Sequence, residues 1–128
     1  MDFALFSHVP WPEGTDPKQV YDDITEEFVL GEELGFKSAW MAEHHFQREG
    51  FECIPNLLLF NVHLAHLTKN LRFGCGFNVA PMWHPLRMAE DFATADILTG
   101  GRIIFGLAIK ARPMVVICCS PPDNVPAI

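Results

Sequence analysis

Ala39-Trp40-Met41-Ala42-Glu43-His44-His45-Phe46 joins a mainly apolar run to a carboxylate, two adjacent imidazoles and an aromatic ring. Such a run reads as a buried strand that delivers titratable groups to its C-terminal end. In parallel α/β folds, chemistry is placed at that end of the strands. Side chains alternate across a strand, so one of His44 and His45 is expected to point into a site. The residues leave three readings open. One imidazole is a general acid/base whose tautomer the neighbours fix; or the group ligates a metal; or these are strand-end polar residues bonded to backbone.

On the N-terminal side, Phe3-Ala4-Leu5-Phe6 predicts a first buried strand. Ser7 to Thr15 carries Pro10, Pro12 and Gly14 and predicts a loop. Asp16-Pro17 opens a helix, with Asp as N-cap and Pro at the first position. Val20, Tyr21, Ile24, Phe28 and Leu34 recur at near-helical spacing, and Asp22, Asp23, Glu26, Glu27, Glu32 and Glu33 supply a solvated acidic face. Gly35 is the stop, with Phe36 the apolar residue after it.

Lys37 to Met41 is then the second strand, and Gln47 to Pro55 a loop. A mostly apolar helix is expected from Asn56 to about Thr68. Leu71 to Phe77 reads as a third strand loosened by Gly74 and Gly76, and Val79 to Trp83 as a loop. A third helix follows His84-Pro85 with Leu86, Ala89, Phe92, Ala93, Ile97 and Leu98 on its buried side. Gly100-Gly101 ends it, and Arg102 to Leu107 forms a fourth strand. The order βαβαβαβ predicts a parallel sheet with right-handed crossovers.

Length and charge bound what this fold can do. A chain of 128 residues suffices for one core, and 49% of its residues are hydrophobic. The formal charge of −7 argues against nucleic acid or an anionic membrane as partner. Cys53, Cys75, Cys118 and Cys119 show no CxxC spacing, and no secretory signal precedes them. They read as reduced thiols of a cytoplasmic protein. The apolar runs are too short to span a bilayer.

Lesser motifs favour structural roles. His63 and His66 are three apart on a helix, but no further metal ligands are evident nearby, so they read as a partly buried face and no metal is expected. Gly74-Cys75-Gly76 permits tight packing or close approach of a ligand, without the full glycine pattern of a dinucleotide fold. Arg102 is expected to pair with Asp96 or Glu90.

Together these blocks resemble the bacterial luciferase-like, flavin-dependent monooxygenase family. The resemblance runs from Met1 to about Leu107. It is carried by Phe3 to Phe6, Glu32-Glu33-Leu34-Gly35-Phe36, Trp40 to Phe46, and Gly74-Cys75-Gly76 leading to Pro81. His84-Pro85-Leu86-Arg87-Met88-Ala89-Glu90-Asp91 and Asp96-Ile97-Leu98-Thr99-Gly100-Gly101-Arg102 complete it. The resemblance implies a (β/α)8 TIM barrel whose C-terminal mouth holds reduced FMN, supplied by a flavin reductase. With O2 the enzyme would oxygenate an organic small molecule, a long-chain aldehyde in luciferases. It implies catalytic roles for Glu43, His44 and His45, His44 matching the family's imidazole near the flavin. It implies cofactor contacts at Cys75, Gly76 and Phe77, with a non-proline cis peptide at Gly76-Phe77.

The tail departs from that pattern. Ile109 stands where the family has an arginine, and Ala111 to Ile128 holds Pro113, Pro121, Pro122 and Pro126 with no helix pattern. Residues 1–110 are therefore expected to form about four βα units, the N-terminal half of a barrel that takes roughly 250 residues. Residues 111–128 would be an irregular tail. A truncated barrel exposes strand edges and apolar faces, so marginal stability and self-association are expected. A same-fold F420-dependent hydride-transfer enzyme, a non-catalytic half-barrel bound to a partner chain, and a His/Glu metal hydrolase remain as alternatives.

Overall fold

The computed structural model describes residues 1–45 and 54–108. Phe46, most of the loop expected over 47–55, Cys53, Ile109 and the whole 111–128 tail lie outside the described residues.

The first strand, β1 (Ala4–Ser7), begins one residue later than its apolar run. Helix α1 (Pro17–Glu33) starts where the sequence places it: the Asp16 side chain accepts the Lys18 N–H, and Pro17 occupies the first turn. It also ends as expected. Gly35 takes φ +93°, its N–H reaches the Glu32 carbonyl and the Phe36 N–H reaches that of Gly31. This double bond satisfies carbonyls the helix would leave open. Val20, Ile24 and Phe28 face the core, but Leu34 is exposed, one residue past the last helical turn.

β2 (Ser38–Met41) follows, then α2 (Leu57–Leu67), capped by the Asn56 side chain on the Leu59 N–H. β3 (Arg72–Cys75), β4 (Asn78–Val79), a 3-10 turn (Ala80–Met82), α3 (Pro85–Thr99), β5 (Ile103–Ile104) and β6 (Leu107–Ala108) complete the described chain. β1, β2, β3 and β5 form one parallel sheet in that order, and β4 pairs with β6 in parallel beside it. The fourth strand expected from sequence is thus broken in two, the third stops at Cys75, and β4 runs into the segment read as loop from Val79. The breaks coincide with Gly76-Phe77, a cis peptide, and with Gly106. A Cβ on Gly106 would sit 1.8 Å from the Cys75 carbonyl oxygen, so two backbones touch where the strands part.

The helices cover one face of the sheet. Phe28, Met41, Leu57, Leu64 and Phe73 are fully buried in this layer, each worth about 1.5–3 kcal/mol of transfer free energy. Helix α3 corrects the sequence reading. Phe92, Ala95 and Thr99 are buried, while Leu86, Ile97 and Leu98 are exposed. Apolar residues lie on more than one side of α3, so periodicity offered two faces; packing against α2 and β5 selected one.

Arg102 also departs from expectation. It pairs with neither Asp96 nor Glu90 but donates to the carbonyls of Thr99, Thr68, Leu71 and Ala65, and lies over the Phe73 ring. The open C-terminal end of α2 offers unsatisfied carbonyls, and the planar guanidinium fork suits several acceptors at once. Glu32 leaves the solvated face assigned to it: its carboxylate accepts the N–H groups of Lys69, Asn70 and Leu71 at 2.6–3.1 Å. No helix of the described residues is long and apolar enough to cross a membrane.

Candidate functional site

The strand register builds an inner face opposite the helices. Phe6 pairs with Trp40, Trp40 with Gly74, and Gly74 with Ile104, forming one row across the sheet. The neighbours in sequence face the other way, as Leu5 against Gly31 and Phe105 against Phe92 show. Trp40 lies flat on Gly74: a Cβ there would come within 2.3 Å of the indole. The Trp40 ring is held by its N–H on Ser38 Oγ at 3.0 Å. One step toward the C-terminal ends, a Cβ on Gly76 would meet Trp40 at 3.4 Å and Phe6 at 3.6 Å. The inner face is therefore an aromatic floor with a glycine-lined level above it.

The loops above this floor are tightly set. Val9, directly after β1, is buried at φ +45°, a left-handed conformation that β-branched residues avoid. Its N–H is held by Ser7 Oγ at 3.3 Å. Such local strain is retained where surroundings enforce it.

Glu43 emerges as the hub of the β2 end. Its side chain is almost fully buried, and Oε1 lies 2.6 Å from His45 Nε2. Oε2 accepts the Val79 N–H at 3.1 Å, and both oxygens lie 3.2 Å from the Trp83 indole N–H. A buried carboxylate is tolerated only when its oxygens are satisfied in this way. Glu43 and His45, two apart, thus share one side. His44 lies between them, half-buried, with its N–H on the Ile54 carbonyl at 3.3 Å.

Of the other sequence-predicted residues, Gly76 and Phe77 stand at the cis peptide beside the aromatic floor. Cys75 does not present its thiol there. It is fully buried toward α2, where the Asn61 amide donates to Sγ at 3.4 Å. Burial pushes its pKa up to about 12, and the Glu43 charge adds to this, against hydrogen bonds from Asn78 and Asn61. The thiol is inert at neutral pH. His63 stacks on Phe60 on the outer face of α2. Among the described residues, no group of three His, Cys, Asp or Glu is arranged to hold a metal.

Three participants were missed from sequence: Trp83, Asn61 and Asn78. Asn78 donates from both its N–H and its side chain to the Gly106 carbonyl, stitching β4 to the adjacent broken strand. Asn61, in the apolar helix Leu57–Leu67, was a legible signal, because a polar side chain in such a run needs a buried partner.

The comparisons with known proteins agree with this geometry. The luciferase-like monooxygenase family model matches residues 1–116. The oxygenase component of a flavin-dependent trigonelline monooxygenase from Acinetobacter baylyi (strain ATCC 33305 / BD413 / ADP1) is 37% identical over 109 residues, 84% of this chain and 30% of that protein. The oxygenating constituent of 3,6-diketocamphane monooxygenase from Pseudomonas putida, solved with FMN, superposes with a TM-score of 0.80 at 27% identity, covering 88% of this chain and 30% of that one. An F420-dependent tetrahydromethanopterin reductase from Methanopyrus kandleri shares the fold at 22% identity, with a TM-score of 0.62 over 88% of this chain and 28% of its own. The chain spans about a third of the length of the relatives it matches, and its parallel sheet is part of a TIM barrel. With the family's motif blocks in order, its fold and its strand-end glycines all present, the chain belongs to the luciferase-like monooxygenases.

Proposed function

We propose that this chain carries the N-terminal part of a flavin-dependent monooxygenase site that uses reduced FMN and O2 on an organic small molecule. One observation carries the reading. At Gly76, where a Cβ would already rest on Trp40 and Phe6, the bare backbone leaves room for close approach of a flat ring. The residues present therefore fit a flavin ring. Trp40 and Phe6 would support it and exclude water from beneath, and the Gly76-Phe77 backbone would lie against it. Reduced flavin, when bound, supplies the electrons that activate O2. His44 would hold or accept a proton at the mouth, and Glu43 and His45 would support that end of β2.

The relatives add a partner, and the sheet edges suggest another. A protein named as an oxygenase component implies a separate flavin reductase that supplies the reduced cofactor. The described sheet ends in β1 on one side and β5 on the other, and open edges favour pairing with further strands, from a second copy or another chain. The F420 reading rests on fold alone, whereas the flavin reading also has sequence identity behind it.

The test is an FMN fluorescence titration of the full chain beside its His44→Ala variant, with circular dichroism confirming that both are folded. Saturable binding is expected, weakened roughly tenfold in the variant, the scale of one hydrogen bond. A folded chain that leaves FMN fluorescence unchanged at the highest attainable concentration would overturn the reading.

A further inference from the structure

We infer that Glu43 is a positioning residue which fixes His45 with its hydrogen on Nε2, and which ties that choice to the segment following Gly76-Phe77. The argument is one of donors and acceptors. A carboxylate only accepts hydrogen bonds. His45 Nε2, 2.6 Å from Glu43 Oε1, must therefore carry a hydrogen. In the neutral ring the lone pair is then on Nδ1. The same carboxylate accepts the Val79 N–H through Oε2 and the Trp83 indole N–H through both oxygens. Its acceptor positions are divided among three donors from three places in the chain: two residues away, β4 and the turn before α3.

This division makes the inference sharp. In Glu43→Gln the side chain keeps its shape but has one acceptor oxygen and one donor nitrogen. Val79 N–H cannot move without breaking the pairing of β4 with β6, and Trp83 can only donate. Both claim the remaining oxygen, so the amide NH2 turns to His45. His45 Nε2 must then accept, and its hydrogen moves to Nδ1. Removing one charge inverts which imidazole nitrogen carries the hydrogen. Trp83→Phe makes the opposite prediction. It removes one donor, leaves the carboxylate facing His45 and should leave the hydrogen on Nε2. Trp83 acts through Glu43 and is a positioning residue of the same unit.

The inference uses the flavin reading only to give the site its meaning, and the two can fail separately. The experiment is nitrogen-15 NMR of the imidazoles in the full chain, recorded well above the ordinary imidazole titration range, for the parent, Glu43→Gln and Trp83→Phe. FMN titrations run in parallel. His45 is assigned from a His45→Gln spectrum. The expected result is hydrogen on Nε2 in the parent and in Trp83→Phe, and on Nδ1 in Glu43→Gln. A parent ring with hydrogen on Nδ1 alone overturns the inference, even if the Gln variant fails to fold. A folded Glu43→Gln chain that keeps hydrogen on Nε2 overturns it as well. If the hydrogen moves as expected but FMN does not bind, the flavin reading fails and the positioning role stands. If FMN binds and the hydrogen does not move, the positioning role fails alone.

Discussion

Two buried or half-buried carboxylates, at opposite ends of the same sheet, solve the same problem with different partners. At the N-terminal end, Glu32 reaches from α1 to the three consecutive N–H groups of Lys69, Asn70 and Leu71. Arg102 sits beside it and closes the carbonyls at the end of α2. Apart from the two charges and the Thr68 hydroxyl, every group in that knot is backbone. At the C-terminal end, Glu43 collects one backbone N–H, an indole and an imidazole. The lower knot uses donors that cannot titrate, so it can only stabilise. The upper one includes an imidazole, whose two nitrogens can each donate or accept. The contrast explains why a buried charge alone does not mark a site: what matters is whether the charge is answered by a group capable of chemistry.

The strongest way to break the contrast is at the glycines. Gly106→Ala places a Cβ on the Cys75 carbonyl, and a backbone atom cannot swing aside. We expect a loss of about 3 kcal/mol or more, read by denaturant unfolding. A variant as stable as the parent would show that the upper strand breaks are not close-packed.

Glu32→Gln should cost about 2 kcal/mol at neutral pH, the worth of hydrogen bonds to a charged group. Burial acts to raise the Glu32 pKa, but the N–H groups of Asn70, Lys69 and Leu71 and the Arg102 charge together hold it below the ordinary value. A depressed folded pKa gives stability that is present above the unfolded value of about 4.3 and is lost as pH falls through the folded one. The gap between parent and variant should therefore close in acid. A gap that persists there would mean that shape rather than charge holds the lower knot.

The smallest effect is expected at the end of α3. Gly100 has φ +66° but nothing within 4 Å of its Cβ position. Gly100→Ala should cost only the left-handed backbone penalty, about 1 kcal/mol, seen as a small shift in the unfolding midpoint. A larger loss would place hidden packing at the lower end.

Much of the scaffold was legible. Asp16-Pro17 and Gly35-Phe36 bound α1 through local chemistry, and the capping bonds are those the residue types demand. The alternation of strands and helices gave the parallel order. What was not legible involves partners distant in sequence. Arg102 was matched to nearby carboxylates because sequence shows neighbours, whereas its acceptors lie on the end of α2. The exposed side of α3 was taken as buried because a helix with apolar residues on more than one side has no unique face until something packs on it.

At the site, the residue types of Glu43, His44 and His45 could be read directly, together with the glycines that allow close approach. Their relations could not. The arrival of Trp83 and Val79 on the Glu43 carboxylate depends on where residues about 35 to 40 positions apart come to lie, and the turn of Cys75 toward Asn61 likewise depends on packing. Sequence alone determined the local grammar, because caps, stops and alternation act within a few residues. The tertiary structure decided which donor meets which acceptor, because a buried charge takes its partners from whichever elements the packed core brings beside it.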